Sequence, residues 1–163
     1  MTALRSRVRR RPDGTYELRL PEQERRLLRS LPGQLRELLS TNDPVLERLF
    51  PPAHPDHPEL EDEYRRMIAG DLTRERLSAL DVMEATLDAK ALSEDELTSW
   101  LNVLNDLRLV LGTRLDVTED MDHGSIRASD PRAPAFELYH YLTFLESHVV
   151  DALAAGLQQA TTD

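Results

Sequence analysis

The sequence predicts a mostly α-helical protein: an N-terminal β-hairpin, then a compact bundle of about five or six helices around one buried helix. Three observations predict it. Leu97–Val117 carries apolar residues at helical spacing on most of its sides, the pattern of a core helix. Several flanking stretches show a narrower apolar stripe of the same period. The first twenty residues instead alternate on either side of the turn signal Pro12-Asp13-Gly14. The 163 residues suit a single domain with its own core. It divides into a hairpin arm (1–20), a helical body (21–157) and a frayed tail (158–163).

In the hairpin, Leu4–Arg10 and Thr15–Leu20 are the two strands. Tyr16, Leu18 and Leu20 share one face, which Leu4 and Val8 can join. Arg5, Arg7, Arg9 and Arg11 line the other face, with Glu17 placed to pair with one of them across the strands. A solvated basic face is the simpler reading of these arginines; a contact to nucleic acid is the sharper one. Two strands alone are marginal, so the hairpin must pack on the helices or on a second copy of the chain.

Pro21 opens the first helix, whose apolar face is Leu27, Leu28, Leu31, Leu35, Leu38 and Leu39. Pro32-Gly33 lies inside it and is expected to kink or split it near Ser30. Asn42-Asp43-Pro44 ends it. Val45–Phe50 reads as a short helical piece that brings Leu46, Leu49 and Phe50 to the core. The segment Pro51–Pro58 is stiff and extended. It crowds His54, Asp56, His57 and Glu59, but a proline-rich loop does not place two imidazoles as one helix face does, so no metal site is assigned. Glu59–Ala69 is helical, acidic in its first turn, with Leu60, Tyr64, Met67 and Ile68 as its buried stripe. Gly70-Asp71 reads as a stop and a new cap, and Leu72, Leu77, Leu80, Met83 and Leu87 carry the next helix.

The central helix opens on Ser93-Glu94-Asp95-Glu96, a capping box. Leu97, Trp100, Leu101, Leu104, Leu107, Leu111 and Leu115 form its stripe, widened by Val103, Leu109 and Val110. Thr98, Asn102, Asn105, Asp106 and Thr113 form a polar strip. Arg108 and Arg114 fall in the apolar phase and must snorkel or pair, because an unpaired buried charge is too costly. Structural salt bridges to Asp106, Glu61, Glu63 or Glu137 are the simpler reading. An arginine cluster that recognises an anion or a partner's carboxylate is the alternative. After Val117 a polar, turn-rich stretch leads to a last helix from about Ala135 to Leu157. Its apolar face is Phe136, Leu138, Tyr139, Leu142, Leu145, Val149, Val150, Leu153 and Leu157.

Composition narrows the function. There is no cysteine, which excludes disulfides and thiolate metal sites. No apolar run is long enough to span a membrane, and the basic N-terminus lacks the apolar region of a signal peptide, so a cytoplasmic protein is expected. The first eleven residues hold five arginines and no acid, so the rest of the chain carries −15 of the overall −10. An acidic body disfavours strong DNA binding, since phosphate neutralisation supplies most non-specific affinity. No nucleophile elbow, Gly-rich phosphate loop or HExxH occurs. One Glu-x-x-His, Glu137 with His140, is half of what a diiron bundle needs. An enzyme is not expected, nor a cofactor.

The runs RLFPPAH (Arg48–His54), EYRRM (Glu63–Met67) and WLNVLNDLRLVLGTRLDVTED (Trp100–Asp120) resemble an actinobacterial family, the AosR-like family, once known only as a domain of unknown function. The resemblance implies a cytoplasmic transcriptional regulator of the oxidative-stress response that works with a sigma factor or RNA polymerase. A cysteine switch of the kind such a regulator would use is impossible in this chain. The candidate binding residues are Arg108, Arg114, Asn105, Asp106, Arg48 and Arg65, with Arg5, Arg7, Arg9 and Arg11 as candidate nucleic-acid contacts. The other reading is a non-catalytic adaptor or binding module in proteolysis or sulfur metabolism. A homodimer is compatible with either.

Overall fold

In the computed structural model, which describes residues 6–41, 43–50, 56–117 and 126–161, Gly14 turns the chain with a positive φ of 87°. Asp13 stabilises that turn by accepting from the Thr15 amide and hydroxyl. The strands β1 (Val8–Arg10) and β2 (Tyr16–Leu18) pair antiparallel, with Val8 opposite Leu18 and Arg10 opposite Tyr16. Val8, Tyr16 and Leu18 are buried as the alternation predicts. The hairpin finds its support within the chain. Tyr16 exchanges two backbone hydrogen bonds with Leu92, each 2.8 Å, and the Arg7 amide donates to His148 Nδ1 at 3.0 Å.

Among the described residues four long helices follow, α1 (Glu22–Leu39), α2 (Pro58–Thr86), α3 (Glu94–Arg114) and α4 (Ala133–Ala160), with a short 3₁₀ helix at Pro44–Arg48 between the first two. The chain is thus mostly helical with an N-terminal two-stranded hairpin. Helix α3 packs along both α2 and α4 and also meets the 3₁₀ helix. Its capping box is complete: Ser93 N–H donates to Glu96 Oε1 at 2.8 Å, and Glu96 N–H to Ser93 Oγ at 3.1 Å. Leu97, Trp100 and Leu104 have no exposed surface. One apolar cluster runs from Val8 on the hairpin through α1, α2 and α3 to Ala152 on α4.

Several expectations are corrected. Helix α1 is not split: it runs unbroken through Pro32, which is buried in it beside Leu31 and Leu35. The missing amide removes one intrahelical bond, which the packing of Leu28, Leu31 and Leu35 outweighs. Leu27, at the edge of that stripe, is 37% exposed. Gly70-Asp71 does not end a helix either. A glycine inside a helix costs only about 1 kcal/mol, and the Asp71 carboxylate pairs with Arg74 at 3.1 Å, so α2 continues for 29 residues. Its first half lies outside the core: Leu60 is 49% exposed, Tyr64 36% and Met67 75%. The core is met by its second half, through Ala79, Leu80 and Met83. On α4 the buried stripe is Phe136, Leu142, Leu145, Val149 and Ala152, while Val150 and Leu157 face outward. Ile68's side chain and the segments holding His54 and Leu4 lie outside the described residues. Val45, not singled out by its spacing, is buried with Leu49, and Asp43 caps their turn by accepting from Val45 N–H.

Candidate functional site

The candidate binding residues gather around the C-terminal half of α3, but they do not form one surface. Asp106 is the clearest correction. It belongs not to a polar strip but to the interior, only 7% exposed, with its carboxylate 3.3 Å from Arg76 Nε on α2. Arg76 lies over the Phe50 ring at 4.6 Å and donates to the Leu49 carbonyl at 2.7 Å. The pair therefore ties α2, α3 and the 3₁₀ helix together. Burial pushes the Asp106 carboxyl up to about 6, and Arg76 offsets part of that shift. Asn105 beside it is exposed.

Arg108 is paired, but not with any of the acids expected from the sequence. Its Nη1 donates to Glu146 Oε2 on α4 at 2.6 Å and its Nε to Thr143 Oγ1 at 3.0 Å. Its guanidinium carbon lies 5.6 Å from the centre of the Tyr139 ring. Glu137 is exposed, and Glu61 pairs instead with Arg65 at 3.0 Å, one turn along α2. Arg65 also donates to the Phe50 carbonyl at 3.1 Å, so it braces α2 against the 3₁₀ helix. Arg114 is loosely held, 3.8 Å from Asp43 and more than half exposed. Arg48 is exposed and makes no ion pair among the described residues.

The basic row on the hairpin is also broken. Arg7 closes on Glu24 through contacts of 2.9–3.2 Å, and the Tyr141 hydroxyl donates to the same carboxylate at 3.0 Å. Arg7 is thus spent on joining β1, α1 and α4. Arg11 shares a hollow with Glu17, Glu22 and Asp88, so its field is offset by acids. Glu17 sits opposite Arg9 in register but makes its ion pair with Arg19, at 3.6 Å. Arg9 is exposed, and Arg5 lies outside the described residues. Among the described residues of the hairpin, Arg7 is therefore committed to Glu24 and Arg11 is flanked by acids, while Arg9 faces solvent.

Two concavities flank the end of α3. The larger, about 380 Å³, is a groove between α1, α3 and α4, floored by Leu31, Leu35, Leu107 and Val110, with Glu37 and Arg114 on its lining. Spacing alone could not reveal it, because each of its leucines reads as core. The smaller, about 140 Å³, brings Arg48 and Arg108 together with Gly112, Thr113, Val117 and Tyr139. Among the described residues no group of three or more His, Cys, Asp or Glu is placed to hold a metal ion. No helix among them is long and apolar enough to cross a membrane.

Comparison with known proteins places this architecture. The family described as domain of unknown function (DUF2017) matches residues 1–153. The chain belongs to the DUF2017 family. A curated relative of this DUF2017 chain is a Mycobacterium leprae (strain TN) protein named "Putative oxidative stress regulator AosR", 32% identical over 76 residues. The match covers 47% of this chain and 35% of the relative, so it spans only about a third of that protein's length. No solved structure matches the DUF2017 chain.

Proposed function

We propose that the chain is a non-catalytic regulator of the oxidative-stress response that acts by binding a protein partner, a sigma factor or RNA polymerase. The observation that carries this reading is the likeness to the mycobacterial protein named as an oxidative stress regulator. The groove between α1, α3 and α4 supports it as the docking face. Its aliphatic floor fits the apolar side of a partner helix, and Arg114 at its rim suits a partner's carboxylate. The acidic body around it favours a basic partner surface, which speeds encounter more than it tightens binding. Without cysteine the signal does not enter through a thiol of this chain. It arrives with the partner, with a change in the amount of protein, or through oxidation of a methionine such as the exposed Met67.

The test is capture from an actinobacterial lysate on the tagged full chain, with and without prior peroxide. Recovery of a sigma factor with RNA polymerase is the expected result. Recovery of protease components or sulfur-transfer proteins in their place would move the assignment to the adaptor reading.

A further inference from the structure

We infer that the hollow between the 3₁₀ helix, α3 and α4 is a binding site for a small tetrahedral oxyanion of the phosphate or sulfate class. Arg48 and Arg108 line it together, and among the described residues no carboxylate is on its lining. Glu146 already balances Arg108, so the charge that a bound anion would relieve among the described residues is that of Arg48. Arg108 is already fixed, by Glu146 and Thr143, so its position is set before any ligand arrives. Arg48 supplies the charge that Glu146 does not neutralise, since it forms no ion pair among the described residues.

Geometry and size select the ligand class. The two arginines come from different elements, the 3₁₀ helix and α3. A planar carboxylate is best met by one guanidinium fork in its own plane. Donors that arrive from two directions suit an anion with oxygens in three dimensions. At about 140 Å³ the hollow holds roughly the volume of five waters at ~30 Å³ each. That is well below the ~300 Å³ at which pockets for larger organic ligands begin. Gly112 lies on the α3 side of the hollow, where a Cβ would come into ordinary contact with the Tyr139 ring at 3.4 Å. Thr113 and Arg48 are exposed at its mouth, so the ion can enter from solvent.

The experiment is an amide NMR titration of the full chain with sodium phosphate at pH 7, with sodium chloride adjusted to hold ionic strength constant. Saturable shifts centred on Gly112, Thr113 and Val117 are expected, reproduced by sulfate and at least about tenfold weaker with acetate. Arg48→Gln is expected to weaken phosphate binding by at least about tenfold while leaving the rest of the spectrum in place, because Arg48 holds no structural ion pair among the described residues. Arg108→Lys gives a second arm, since it keeps a charge beside Glu146 while losing the fork. It should weaken phosphate as well. Shifts that grow linearly without saturation, acetate as effective as phosphate, or an Arg48→Gln variant that binds like the wild type would each overturn the assignment.

Discussion

Trp100 Nε1 on α3 donates to Thr86 Oγ1 on α2 at 2.7 Å, in a site where the indole is fully buried and Thr86 is 6% exposed. The same hydroxyl donates to the Val82 carbonyl at 2.7 Å, so the bond is polarised at both ends. With the Arg76–Asp106 pair, it is one of the polar ties between the central helix and its longest neighbour. Thr86→Val keeps the shape and removes the acceptor, leaving a buried indole N–H unmet at a cost of about 1–3 kcal/mol. Thr86→Ser keeps the acceptor and should cost less. Urea denaturation of the two variants checks this; a valine variant as stable as the serine one would deny the bond its role.

Arg108→Met retains much of the stem and strands Glu146, whose side chain is 14% exposed. Breaking a fully buried pair costs about 3–5 kcal/mol, and an exposed one under about 1 kcal/mol. Partial exposure of this pair places the loss between these, about 1–3 kcal/mol. Arg108→Met combined with Glu146→Gln should recover part of it. If thermal unfolding of the single variant matches the wild type, the ion pair carries no stability.

Asp106 gives a pH dependence of unusual sign. Its carboxyl is raised to about 6 in the folded chain, because burial disfavours the charge more than Arg76 favours it. A carboxyl that is a weaker acid when folded binds more protons in the native state. Stability from this group is therefore greatest below about pH 4 and falls as pH rises toward 6, by up to about 3 kcal/mol for a shift of this size. Asp106→Asn removes that titration. The wild type should gain stability relative to the asparagine variant as pH is lowered from 7 to 4, whatever the surface carboxylates contribute to both. A difference that stays constant across that range would mean Asp106 is ionised as readily folded as unfolded.

The elements that were legible in the sequence are those whose signals are local. The Ser93–Glu96 capping box and the leucine spacing after it define α3 without reference to anything else. Asp13-Gly14 likewise defines the hairpin turn. What local spacing does not hold is which apolar face finds a neighbour. Leu60, Tyr64 and Met67 repeat at helical intervals, yet they lie on a part of α2 that extends past the core. Gly70 reads as a stop because a glycine's cost is visible locally, whereas the packing of Leu80 and Met83 that carries α2 through is not. The arginines show the same division. The phase of Arg108 marks it for pairing, but its partner Glu146 is 38 residues away on another helix. Asp106 reads as part of a polar strip because Arg76, its partner in the interior, lies on α2. Arg48 and Arg108 meet only through the packing of the 3₁₀ helix against α3.

The regulatory reading stands or falls on the groove between α1, α3 and α4. Leu38 is partly buried on its lining and outside the fully buried core, so Leu38→Glu should leave the fold intact while placing a charge where a partner's apolar side chains would sit. The deciding measurement is co-purification of RNA polymerase and its sigma factor with the wild-type chain and with Leu38→Glu, expressed at equal level in an actinobacterial host. The account predicts that the wild type retains the sigma factor and that Leu38→Glu, with an unchanged circular dichroism spectrum, loses it. Equal retention by both proteins, or retention by neither, would contradict it.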